Sequence, residues 1–122
     1  MKVKDTIKVI IKSPGDQFGE EATIPNTLKA LQEAVGGYIE TVTLPEHNLV
    51  LICNEEGSIR DMPYNFTFRI PPRVTMFEAI NELFGQCKFF GTVIACGVDG
   101  DEFADIPIDF NEWKSLLCEW GN

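Results

Sequence analysis

The sequence is poor in the side chains that titrate or bind metals near neutral pH. It has one histidine, His47, and four cysteines, Cys53, Cys87, Cys96 and Cys118, that stand far apart with no Cys-x-x-Cys. A lone imidazole between Pro45 and Asn48 lacks the partners of a catalytic triad or a metal site and reads as an exposed turn residue. Scattered cysteines exclude a zinc ribbon, a thioredoxin-like motif and a disulfide framework, and most of them read as reduced core thiols of a cytosolic protein. Long apolar runs are also missing. The longest, such as residues 49–53, are strand-length, far short of the roughly 18 residues a membrane span needs. Residues 1–12 have no uninterrupted apolar stretch or small-residue cleavage site, so no signal peptide is read and the expected location is cytoplasmic. Positive charge is scarce, with 10 Lys plus Arg against 19 Asp plus Glu and a net charge of −9. That balance opposes direct binding to nucleic acid.

What is present is ordinary for a globular chain: 44% hydrophobic and 24% charged residues over 122 positions, enough for one compact domain spanning 1–122. Residues 6–12 alternate Ile7, Val9 and Ile11 with Lys8 and Lys12, a half-buried strand with its lysines outward, although Ile10 interrupts the pattern. The turn formers Ser13-Pro14-Gly15-Asp16 join it to a weaker strand over 18–24. Asn26 or Thr27 caps a short helix carrying Leu28, Leu31 and Val35, and Gly36-Gly37 ends it. Residues 38–44 and 49–53 form a second hairpin, and the proline-rich stretch 59–73 is a long loop or an edge segment. Thr75 and Glu78 make a capping box before a stripe of Met76, Phe77, Ile80, Leu83 and Phe84, which predicts a helix to Gly85. Residues 89–98 are the most strand-like run of the chain, and Asp99-Gly100 turns it into a weaker strand over 103–106. Asp109 and Glu112 open a last helix with Phe110, Trp113, Leu117 and Trp120. The order predicts an α+β fold, a mainly antiparallel sheet with about three helices laid on one face. The first hairpin and helix resemble the opening of a β-grasp unit.

Two polar turns are candidates for function. Asn54-Glu55-Glu56-Gly57 holds adjacent carboxylates, and the stretch Asp99, Asp101, Glu102 and Asp105 holds more. Oxygen-rich clusters suit hard cations. The glycine spacing does not fit a calcium-binding EF-hand, however, and turn and cap roles account for Asp99, Gly100 and Asp109 with no metal or other cofactor. Neighbouring turn carboxylates ordinarily point apart, so a paired acid and base is not implied. Residues 95–122 hold seven acidic side chains against Lys114, a local −6 of the total −9, whereas Lys2, Lys4, Lys8 and Lys12 face only Asp5 in the first twelve residues. The chain is dipolar, and its acidic end suits either plain solubility or attraction to a basic protein surface.

The combination Thr27-Leu28-x-x-Leu31-Gln32-x-x-Val35-Gly36-Gly37-Tyr38-Ile39-Glu40, then Leu51-Ile52-Cys53-Asn54-Glu55-Glu56-Gly57, then Pro63 with Asn65, resembles the bacterial and phage family catalogued as domain of unknown function 3846. Residues 91–98 and the acidic hairpin after them are similar to its C-terminal portion. Residues 66–90 depart from its compact form and read as an insertion. The resemblance implies residence in phages, plasmids or integrative elements of a bacterial host, and carries over no activity or catalytic residue. Two functional readings follow. One is a non-catalytic protein-binding module using Asn54, Glu55, Glu56, Gly57, Asp99, Asp101, Glu102 and Asp105, which inhibits a host defence or nucleic-acid-handling protein by covering its basic surface. The alternative is an enzyme using those carboxylates, conceivably with Mg²⁺, which requires the two loops to converge.

Overall fold

The structure, a computed structural model, describes residues 5–44, 47–57, 60–69 and 86–122. Its elements run β1 (Thr6–Lys12), β2 (Glu20–Pro25), α1 (Leu28–Val35), β3 (Ile39–Leu44), β4 (Leu49–Asn54), β5 (Tyr64–Arg69), β6 (Gln86–Phe90), β7 (Val93–Asp99), β8 (Glu102–Ala104) and α2 (Phe110–Glu119). Six strands form one antiparallel sheet in the order β2-β1-β7-β4-β3 with β8 also beside β7, and β5 and β6 form a separate two-stranded sheet. This is an α+β domain with two helices among the described residues. The helix expected over 75–84 lies outside them.

The two helices cover opposite faces of the main sheet, not one face. The central strands explain why: all six residues of β4 are buried, as are the first five of β7. Successive strand residues alternate faces, so an uninterrupted apolar run needs cover on both sides. Val50, Ile52, Ile94 and Cys96 pack with Ile7 and Val9 under Leu31 and Val35 of α1. Leu49, Leu51, Cys53, Val93 and Ala95 pack on the other face with Trp113, Leu116 and Leu117 of α2 and with Trp120, which caps it. Ile10, which breaks the alternation of β1, belongs to this second cluster.

The run 89–98 is two strands in two sheets. Gly91, at φ 77°, lets the chain leave β6 and re-enter as β7. The proline-rich stretch likewise contains strand β5, whose Phe66 and β6's Phe89 close over α2; the Phe66 and Trp120 rings stack at 6.2 Å. The small sheet is tied to the body by side-chain amides. Asn65 Nδ2 donates to Lys12 O and Gly91 O, both at 2.8 Å. Asn122 donates to Thr67 O at 2.8 Å and accepts from Thr67 N at 3.2 Å.

Lys8 is exposed, but Lys12, on the same face of β1, is covered and 4% exposed. Its ammonium donates to Asn65 Oδ1 at 2.6 Å and lies 5.3 Å from the centre of the Phe66 ring. Burial lowers its pKa, against the opposing pull of Asp16. Asn65→Leu strips the buried ammonium of its acceptor and orphans two carbonyls, so it should cost about 3 kcal/mol in chemical denaturation, whereas Lys12→Met, which removes the charge, should cost about 1 kcal/mol or less.

All four cysteines are thiols, not disulfides; Cys53 and Cys96 are buried, Cys87 is half-buried and Cys118 is exposed. Burial pushes Cys96 up to about 12; Cys53 is pushed up to about 12 by burial first, then by Glu40 and Cys87. Unfolded thiols ionise from about 9, so the unfolded chain loses those protons first and stability should fall between pH 9 and 12. The limit is about 1.4 kcal/mol per pH unit for each thiol. Lys12 acts oppositely, because its lowered folded pKa makes stability rise as pH approaches 10.5. Two thiols against one amine leave a net alkaline loss. Urea midpoints taken upward from about pH 9 should show it, and Cys96→Ala should remove about half of the thiol-driven slope.

Candidate functional site

An open cleft of about 230 Å³ sits where α1 ends and β4 leaves the sheet, lined by Gln32, Gly37, Tyr38, Asn54, Glu56 and Arg60. Its wall begins with a helix stop. Thr27 caps the start of α1 by accepting from Ala30 N at 3.1 Å, and Gly36 at φ 79° ends it, with Gly36 N and Gly37 N both donating to Gln32 O at 2.8 and 3.0 Å. Gly37 is required for a different reason: a Cβ there would lie 2.8 Å from Asn54 Nδ2. The two segments are then joined by Glu55 N donating to Tyr38 O at 3.0 Å.

Asn54 forms the floor. It is 5% exposed; its Nδ2 donates to Val35 O at 3.1 Å and its Oδ1 accepts from Glu56 N at 2.8 Å. Both ends of the amide are therefore spent on backbone, one satisfying a carbonyl at the end of α1 and the other fixing the turn. Gly57 is buried too, since a Cβ would lie 2.9 Å from Phe90 O. Of the four residues in this turn, only Glu55 and Glu56 are exposed. Beside them stand the exposed Arg60 and Tyr38, the latter 69% exposed. Two carboxylates, one guanidinium and one open aromatic ring on a backbone held by five hydrogen bonds form a surface suited to recognition.

The acidic hairpin is elsewhere. Asp99 pairs with Glu102 across a two-residue turn in which Gly100 has φ 63°, and Asp99, Asp101 and Glu102 are all exposed. Asp105 is half-buried and accepts from Lys8 N at 2.9 Å, so it fixes the tail of β8 to β1. Ile52 of β4 lies opposite Ile94 of β7, and Leu49 opposite Gly97. Asn54 thus sits beyond the start of β7 and Asp99 at its end, roughly 20 Å apart at strand rise. The two carboxylate loops occupy opposite ends of the sheet and share no pocket.

Two further hollows are lined by described residues. One of about 90 Å³ lies behind the Asn54 turn, with Glu40, Cys53 and Cys87 in its wall. There Cys53 stays a neutral thiol and a poor nucleophile at physiological pH, because its pKa is about 12. An open groove of about 350 Å³ at the acidic end brings half-buried His47 to one lining with Asp109 and Glu112. Among the described residues, no group of three or more His, Cys, Asp or Glu is placed to hold a metal ion, and no helix is long and apolar enough to cross a membrane.

Sequence reasoning missed Arg60 as a site residue and treated Gln32 only as part of a motif. No local signal marks Arg60, because its place depends on how the chain after Gly57 folds back. A signal did exist for Asn54, an amide closing an otherwise apolar strand. Trp120 is 3% exposed, whereas Tyr64 is 50% exposed.

The chain matches, over residues 7–117, the family described as a domain of unknown function (DUF3846), and it belongs to that family. No curated protein and no solved structure matches it. The motif residues Gln32, Gly37, Tyr38, Asn54 and Glu56 meet in the one cleft. Asn54→Ala leaves both Val35 O and Glu56 N without their partner and should cost about 2 kcal/mol in urea unfolding, while Glu56→Gln, at the exposed rim, should change stability by less than about 0.5 kcal/mol.

Proposed function

We propose that the protein is a non-catalytic binding module of phage or mobile-element type that acts in the bacterial cytoplasm by covering a basic surface on a host protein, such as a defence or nucleic-acid-handling factor. The observation that carries this reading is the division of labour in the cleft. The buried amide of Asn54 spends both its ends on the scaffold, and Tyr38, Glu55, Glu56 and Arg60 are left exposed around it. Such a site fixes position without itself offering a buried reactive group. Separation of the Glu55-Glu56 turn from the Asp99–Glu102 hairpin also supports binding over chemistry by paired carboxylates, which must face one substrate. The acidic end then serves attraction. Its charge draws a basic partner from a distance and orients it, while direct nucleic-acid binding is disfavoured.

The test is capture from a bacterial host lysate followed by kinetics with the purified partner. The association rate should fall by about tenfold as ionic strength rises from about 0.01 to 0.1 M, where the screening length shortens from about 30 to about 10 Å. Glu55→Lys with Glu56→Lys, and separately Asp101→Lys with Glu102→Lys, should each weaken capture without lowering the melting temperature, since all four side chains are exposed. Partner capture unchanged in both variants, or tight binding of duplex DNA by the wild type, would overturn the reading.

A further inference from the structure

Among the described residues the main sheet ends in two outer strands, β2 and β3, and their outward edges differ. Glu55 N donates to Tyr38 O, so the opposed pair 38/55 is hydrogen-bonded. In the register of β3 with β4, the pairs 40/53, 42/51 and 44/49 follow it, because bonded pairs alternate along an antiparallel ladder. Ile39, Thr41 and Thr43 therefore turn their N–H and C=O groups outward. On the opposite edge Asn26 N donates to Asp5 O, and the same alternation leaves Glu21, Thr23 and Pro25 of β2 facing outward. Pro25 has no N–H, and glutamates occupy positions 20 and 21, both familiar ways of blunting an edge. The β3 edge has three complete donor and acceptor sets, no proline, and exposed residues at 40, 41 and 43.

We infer that two copies of the chain join edge to edge through β3, antiparallel about a two-fold axis at Thr41. In that register Thr41 pairs with its own copy and Ile39 with Thr43, giving six backbone hydrogen bonds, two from each of the three outward pairs. A slip of one step along the outward groups leaves four. In one direction the slip also sets Glu40 against Glu40. In the inferred register Glu40 faces Val42, so no like charges meet directly. Ile39 lies on the α1 side of the sheet with Thr41 and Thr43, and there the β-branched side chains pair with one another. β3 runs from the cleft towards the end of the sheet that carries the acidic hairpin. An antiparallel junction therefore puts the two acidic ends at opposite corners, which matters for chains of net charge −9. The junction uses none of the residues that line the acidic hairpin, so it stands independently of the partner proposed above.

Sedimentation equilibrium of the wild type from about 10 to 500 μM, the range in which six ordinary backbone bonds would hold two chains, should show a monomer–dimer equilibrium. Thr41→Lys sets two ammonium groups face to face and should weaken the dimer at least tenfold, whereas Thr23→Lys on β2 should leave it unchanged; both positions are exposed. Amide exchange at Ile39, Thr41 and Thr43 of the wild type should slow as concentration rises, with Glu21 and Thr23 unaffected. Added salt should tighten this association between two acidic chains, the reverse of its effect on a basic partner. A wild type that stays monomeric throughout overturns the inference and leaves the edge to a strand of another protein. A dimer that survives Thr41→Lys, or one without slowed exchange along β3, overturns it as well.

Discussion

The apolar character of β4 and β7 on both faces is the constraint from which the other layers follow. Leu49, Leu51, Ile52, Val93, Ile94, Ala95 and Cys96 are each at most 1% exposed, and no single helix can cover both sides of a sheet. Helix α1 covers one side with little more than Leu31 and Val35, which suffices because Ile7 and Val9 of β1 complete that cluster. The other side needs more material. It receives α2 with Trp113 and the capping Trp120, and over them the small β5–β6 sheet carrying Phe66 and Phe89. Burial of this kind drives folding but has no direction, so the positions of the layers relative to one another must be set by something else.

Side-chain amides set them. Asn65 joins β5 to the end of β1 and to Gly91; Asn54 joins β4 to the end of α1; Asn26 reaches Phe103 O at 3.3 Å; and Asn122 pairs with the backbone of Thr67. An asparagine has both donor and acceptor ends, so one residue can satisfy the loose backbone ends of two different elements at once. Among the described residues no buried side-chain nitrogen or oxygen lacks a partner, which is the condition under which buried polar groups specify a structure and do not weaken it. The ammonium of Lys12 is tolerated on the same terms: a short bond to Asn65, an aromatic face beneath it and the attraction of Asp16.

Local chemistry made part of this legible in the sequence. Thr27 and Asp109 cap helices as their side chains suggest, Gly36 stops one in the left-handed region, and Gly100 turns the acidic hairpin. Each of those signals acts within four residues. What was not legible depends on distant parts of the chain. Nothing in the run 89–98 states that its two halves belong to different sheets; only the positive φ of Gly91 marks the break, and Gly97 of the same run sits inside β7 without one. Lys12 shares one face of β1 with Lys8 and Ile10 by parity, so its burial is decided far along the chain, where Asn65 and Phe66 close over it while Lys8 stays exposed. The cleft was half legible: the Asn54-Glu55-Glu56-Gly57 turn stood out, yet its partner wall at Gln32, Gly37 and Tyr38 is brought to it only by the β3–β4 register.

That register also explains why the braced turn lies at one end of the sheet. A turn between strands can move unless its backbone is tied on both sides, and the turn after β4 is tied by Asn54 within, by Glu55 N to Tyr38 O across, and by Arg60 N to Glu56 O beyond at 2.8 Å. Glu55 and Glu56 then project from a fixed backbone, so a partner that contacts them does not have to order the loop first, which is a substantial part of the cost of many loop-mediated complexes. The acidic hairpin differs. Among the described residues its tip has a tight turn and no side-chain tether, and Asp105 anchors the strand beyond it. A long-range field needs charge but not fixed geometry, whereas close contact needs both. The fold supplies these separately: charge at the Asp99–Glu102 end, and a braced surface with an open aromatic ring at the Tyr38 end.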